Sequence, residues 1–187
     1  MPCLETERLL LRPPEFRDVP AIAALAGDWD VAKNLASMPH PYREDDAREF
    51  VSRTQMKGAS GEVFCFAILR KADEAFMGCS GLNLKDGRFE LGYWFGKPFW
   101  GRGYATEAAK KVVSFAFRDL KATSLSAGWF HDNPASGRVL EKLGCRPDGA
   151  EPRHSLARGH SVYCHMAALT REQFGRKKAP FEARASC

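Results

Sequence analysis

The chain has 187 residues, of which 44% are hydrophobic and 27% charged, with a mild net charge of +5. These values are ordinary for one soluble globular domain with a substantial core. No apolar run approaches the roughly 20 residues of a membrane span, and no basic stripe interleaved with aromatics marks a nucleic-acid surface.

The opening, MPCLETERLL, lacks the basic-then-apolar layout of a signal peptide, so a cytoplasmic location is expected. Residues 8–12 read as a first strand, stopped by Pro13 and Pro14. Asp18 stands where it can cap a helix carrying Ile22 and Leu25 and ending at Gly27. Asp28 opens a shorter helix with Val31 and Leu35 on one side. A stiff loop, Met38 to Tyr42, precedes a third helix from about Glu44 to Met56, whose buried face is Ala47, Phe50 and Val51. Residues 62–70 and 75–84 read as strands, and Lys85-Asp86-Gly87 turns into a fourth strand, 89–95. An antiparallel meander follows from that order. Gly92 inside the fourth strand hints at a bulge that would splay it from its neighbour.

A helix over 104–118 shows Ala105, Ala108, Ala109, Val112 and Ala116 at helical spacing. Residues 123–130 alternate as a fifth strand, and the strand–helix–strand order implies a right-handed parallel crossover. Asn133 stands at an N-cap position with Pro134 at the first helical residue and Gly144 at the end. Two strands, 146–157 and 159–169, close the pattern. The tail from Thr170 carries five basic residues against two acidic ones; it reads as a short helix and then a frayed or partner-bound end. The whole is α+β, a mixed sheet with helices on both faces, and 1–187 reads as a single domain.

The six cysteines are scattered without a Cys-x-x-Cys pair, and no His/Cys cluster has metal spacing, so no metal is expected. The chemistry concentrates where the fourth strand meets the following helix. There Gly101-Arg102-Gly103 leads directly into Tyr104, Ala105 and Thr106. Two glycines at such a turn leave several backbone N–H groups aimed at one spot, and the helix N-terminus adds partial positive charge. That spot suits a pyrophosphate. It is not a Walker loop, because Gly96-Lys97 runs into Pro98. It is not a dinucleotide fingerprint, because Thr106 stands where a third small residue belongs and the loop lies mid-chain.

The run Trp100-Gly101-Arg102-Gly103-Tyr104-Ala105-Thr106-Glu107-Ala108 resembles the acyl-CoA pyrophosphate loop of the GCN5-related N-acetyltransferase (GNAT) superfamily, in the branch of the ribosomal-protein N-terminal acetyltransferases. The run Asn133 to Gly144 is similar to the family's Asn-x-x-Ser helix. Thr6 to Arg12 and Leu156 to Gly159 also fit the branch, so the resemblance spans about residues 4–172, leaving 173–187 as a tail. Trp100 stands where many members have Gln or Arg. The resemblance implies a sheet split between the fourth and fifth strands, with acetyl-CoA as co-substrate in the split and a primary amine, on a protein N-terminus or a small molecule, as acceptor. Dimers are common among relatives.

Backbone amides of Gly101, Arg102, Gly103, Tyr104, Ala105 and Thr106 are the expected pyrophosphate contacts; the Arg102 side chain either adds one or is simply solvated. Main-chain groups at Trp94 and Phe95 would pair with the pantetheine arm like an added strand. The resemblance adds a pantetheine contact for Asn133, beyond helix capping. It implies that Ser136 protonates the leaving thiolate, where otherwise it merely satisfies an N–H. It makes Glu90 the general base, with pairing to an Arg or Lys as the plain alternative and His131 and Tyr163 as rivals. Trp29, His40, Tyr42 and Arg153 are candidates for the acceptor side. The competing function classes are a non-catalytic CoA-binding regulatory module and a nucleic-acid-associated protein.

Overall fold

The computed structural model describes residues 1–176. In chain order the elements are β1 (Leu4–Glu5), β2 (Leu9–Arg12), α1 (Val19–Ala26), α2 (Trp29–Ala32), α3 (Glu44–Ala59), β3 (Val63–Arg70), β4 (Phe76–Lys85), β5 (Arg88–Phe95), α4 (Tyr104–Arg118), β6 (Ser124–Phe130), α5 (Pro134–Leu143), β7 (Arg146–Ser155), β8 (His160–Thr170) and α6 (Arg171–Arg176). The strands form one sheet in the order β1-β2-β3-β4-β5-β6-β8-β7. Every neighbouring pair is antiparallel except β5 and β6, which the α4 crossover makes parallel. The expected short helix after Thr170 is present as α6; the frayed or partner-bound end lies outside the described residues.

Side-chain alternation divides the core between the two faces. Under α4 and α5, Leu9, Leu11, Phe66, Ile68, Met77, Leu91 and Phe95 of the sheet pack with Ala108, Val112, Ala116, Leu140 and Leu143. On the other face Val19 and Ile22 of α1 and Ala47 and Val51 of α3 pack near Phe76 and Trp94. The apolar stripe read from the sequence of α4 is the buried one: Ala108, Ala109, Val112 and Ala116 are fully enclosed. Burial of the α4 side chain Phe117, which stacks on Phe174, is worth about 3–5 kcal/mol by the usual cost of Phe→Ala in cores.

Three local expectations need correction. Asp18 occupies the N-cap position of α1 but makes no side-chain cap bond there. Its buried carboxylate instead takes a two-pronged contact from Arg12, at 2.7 Å on each oxygen, and accepts the Glu15 N–H. A buried charge is stable only when paired, and Arg12 outcompetes the helix end. The first strand is preceded by the two-residue β1, too short to show a period. The bulge expected at Gly92 is absent: β5 stays in unbroken register with β4 through Gly81↔Gly92. What separates the strands is the other side. The β5–β6 ladder has only three rungs, ending at Leu91↔Ala127, although both strands run on.

β7 ends the sheet. It is exposed on both faces from Arg146 to Pro152, contains two prolines, and slips register against β8 between Pro147 and Ala150.

Candidate functional site

Where β5 and β6 part, a cleft of about 490 Å³ opens. Its walls are Glu90 to Phe95 on one side and Gly128 to Phe130 on the other, with the starts of α4 and α5 at its mouth. Of the residues singled out by sequence, Glu90, Trp94, Phe95, Gly101, Gly103, Tyr104, Ala105, Thr106, Asn133 and Ser136 all line this cleft. The Arg102 side chain is not on its wall, and its carbonyl is taken by Arg8 Nη1 at 3.2 Å.

The loop into α4 has the conformation that glycine permits. Gly101 has φ +74° and Gly103 has φ +79°, both left-handed. Gly103 at the N-cap has no side chain to cap the helix, and Glu107 N–H to the Gly103 carbonyl, 3.0 Å, is its first closing bond. The amides of Tyr104, Ala105 and Thr106 therefore precede the helical ladder and stand at the cleft. Below them, Gly92 to Phe95 has no strand partner on the β6 side. One of its groups is spoken for: Trp100 Nε1 donates to the Phe95 carbonyl at 2.7 Å, which folds the 96–100 loop onto the strand end.

At α5, Asn133 Oδ1 accepts the Ser136 N–H at 3.3 Å, so the capping role is real. The helix packs tightly against β6: a Cβ on Gly137 would lie 2.9 Å from Trp129 Nε1. The Ser136 hydroxyl shares a 2.8 Å hydrogen bond with the phenol of Tyr93, which is also within 3.1 Å of the Ser136 carbonyl. Burial pushes the Tyr93 phenol up to about 12, against a smaller downward pull from Ser136. It stays protonated at neutral pH. Tyr93 escaped the sequence reading; its one trace there is a hydroxyl in the otherwise apolar row Leu91, Tyr93, Phe95.

Glu90 and Trp94 point from the opposite face of β5. Arg153 grips Glu90 with both terminal guanidinium nitrogens, Nη2 at 3.0 Å from Oε2, and reaches Glu151 Oε1 at 2.7 Å through Nε. The pair is largely buried, 21% exposed at Glu90 and 19% at Arg153. Glu90, first among the causes, raises the Arg153 pKa further. This is the Arg partnership weighed beside the base role. His131 and Tyr163 are exposed and line neither cavity, which removes the geometric case for them as bases.

A second cavity, about 690 Å³, lies against α3 and shares Asn83, Gly92, Tyr93 and Trp94 with the cleft. Tyr42 lines it, whereas Trp29 and His40 meet edge to face and line neither space. Leu35 to Pro39 run along its edge. Burial, first among the causes, raises the pKa of the Tyr42 phenol. Among the described residues, no group of three or more His, Cys, Asp or Glu could hold a metal ion, and no helix is long and apolar enough to cross a membrane.

A family model described as an acetyltransferase (GNAT) domain matches residues 8–146. The chain is 28% identical over 177 residues to an uncharacterised N-acetyltransferase of Bacillus licheniformis, p20, covering 93% of this chain and 99% of that one. A solved GNAT-family acetyltransferase from Bacillus anthracis superposes with a TM-score of 0.80 at 26% identity, over 91% of this chain and 99% of that one. RimJ of Mycobacterium smegmatis, solved in complex with CoA-disulfide, shares the fold at TM-score 0.78 and 22% identity, over 88% of this chain and 83% of that one.

Proposed function

The chain belongs to the GNAT acetyltransferase family and is an acyltransferase, and from that premise we propose that it moves an acetyl group from acetyl-CoA to a primary amine, on a protein N-terminus or a small molecule, by direct attack in a ternary complex. The observation that carries the reading is the split itself: unpaired strand edge, unpaired helix amides and two side chains able to handle protons meet in one cleft.

Each part has a task. The amides of Gly101 to Thr106 seat the diphosphate, with the α4 dipole behind them. The open edge of Gly92 to Phe95 pairs with the pantetheine arm, and Asn133 adds a side-chain contact while capping α5. A main-chain N–H of that edge faces the thioester oxygen as it gains charge. Ser136, backed by the protonated Tyr93, donates to the departing thiolate. Glu90 takes the proton of the amine. Arg153 fills one lone pair on each of its oxygens and leaves the others open to a water that relays the proton.

The faces of β5 give this scheme its order. The proton donor pair lies on the α5 side and Glu90 on the α3 side, and only the missing rungs beyond Leu91 let the two communicate. The amine then enters through the second cavity, which joins the cleft at Asn83, Gly92 and Trp94, beside Glu90 on the cleft wall. The test is release of free thiol from acetyl-CoA against a panel of amines and peptide N-termini. Amine-stimulated release is expected; saturable CoA binding without it would leave only a CoA-binding module.

A further inference from the structure

The N-terminal segment reaches the phosphate loop through one side chain. Arg8 donates from Nε to Glu107 Oε2 at 2.7 Å and from its backbone N–H to Oε1 at 3.1 Å. Its Nη1 holds the Arg102 carbonyl at 3.2 Å, and its guanidinium lies 4.4 Å from the centre of the Tyr104 ring. Thr6 Oγ1 completes the set by donating to Glu107 Oε1 at 2.6 Å. Arg8 thus touches the middle of the glycine loop, the first residue of α4 and the acid of its first turn.

Glu107 is an awkward residue for that turn. A carboxylate there suits an empty helix N-terminus but repels a diphosphate bound at the same end. The Arg8 side chain is 44% exposed and that of Glu107 19%, so solvent screens the Arg8 end and the pair's share of fold stability is modest. Its effect falls on whatever anion approaches the turn.

Resting on the diphosphate seat proposed above, we propose that Arg8 is a positioning residue for acetyl-CoA: it offsets the charge of Glu107 and anchors the Arg102 carbonyl, so that the loop amides face the diphosphate without a competing anion beside them. Arg8 acts through Glu107 and the loop.

Two acetyl donors separate this role from a structural one. S-acetylpantetheine lacks the diphosphate and acetyl-CoA carries it. Arg8→Ala should lower kcat/KM for acetyl-CoA about tenfold more than for S-acetylpantetheine, mainly through KM. Adding Glu107→Gln to Arg8→Ala removes the uncompensated charge and should restore at least about a third of the lost discrimination. Arg8→Lys keeps the charge and should stay within about threefold of wild type. If Arg8→Ala does not fold, Arg8→Gln takes its place beside Arg8→Lys, with the same expected contrast. Equal losses on both donors, or no recovery in the double variant, would overturn the proposal. Wild-type protein that does not discriminate between the donors would instead overturn the diphosphate seat.

Discussion

Gly103→Ala tests the loop at the point where only backbone conformation is at stake. Gly103 has φ +79°, and a Cβ placed there meets nothing closer than Arg8 Nη2 at 3.6 Å, an ordinary contact. The added methyl is therefore not excluded by space. Its cost is that of holding an L-residue in the left-handed region, about 1–2 kcal/mol. If the loop keeps its shape, that cost appears as lost stability, about 2–8 °C in Tm for a chain of this size. If the loop relaxes, stability returns, but the amides of Tyr104 to Thr106 swing off the diphosphate. CoA affinity then falls by up to about 5- to 30-fold, the same energy expressed as a Kd. The two losses share one source, so they trade against each other. Thermal melts with and without CoA, together with calorimetric titration of CoA, measure both. Gly101→Ala, at φ +74° with open space around the added carbon, should behave alike. A Gly103→Ala protein with wild-type Tm and wild-type Kd would refute the loop's role.

Ser136→Ala should slow single-turnover acetyl transfer about 3- to 10-fold, because a thiolate near pKa 8.5 needs only modest help to leave. Tyr93→Phe should do about the same, and the double variant should be little worse than the slower single one, since both remove one hydrogen-bonded unit; fully multiplicative losses would separate the two. Glu90→Gln should lower kcat/KM at least about tenfold by removing the general base, and a wild-type kcat/KM would remove Glu90 from the mechanism. Burial alone would raise the Glu107 pKa, but bonds from Thr6 and Arg8 outweigh it, so the folded value lies below the ordinary 4.5. Its contribution to stability is complete above that value and is lost as pH falls below it. Glu107→Gln should accordingly flatten the acid side of a plot of Tm against pH, and a curve parallel to wild type would contradict the linkage.

Local chemistry carried most of the fold into the sequence. The α4 stripe, the Asn133–Pro134–Gly144 frame of α5 and the turn at Lys85 to Gly87 each fix their element through nearby residues, and each stands where the pattern puts it. The parallel step from β5 to β6 followed from strand order alone. The cleft was legible through Gly101 and Gly103, whose conformations a sequence pattern can anticipate. The partners were not. Tyr93 meets Ser136 across 43 positions and Arg8 meets Glu107 across 99, distances at which no local rule applies. The misplaced bulge has the same origin. Gly92 announced that something is irregular, but whether β4 or β6 loses contact depends on where β6 is steered by α4. Asp18 shows the reverse case, a good local cap diverted by a buried arginine.

The sheet's outer margins have a bearing on its interior. At one flank β1 is two residues long; at the other, β7 is kinked, proline-bearing and bathed by water on both sides. Neither flank offers a foreign strand a long, flat seam of matching donors and acceptors. Among the described residues the unpaired strand edges lie inside, along Gly92 to Phe95 in the second half of β5 and along Gly128 to Phe130 of β6. On the function proposed above, an extended amide-bearing tether pairs in the indentation between these edges, where its donors and acceptors meet backbone groups that the sheet's own margins do not present.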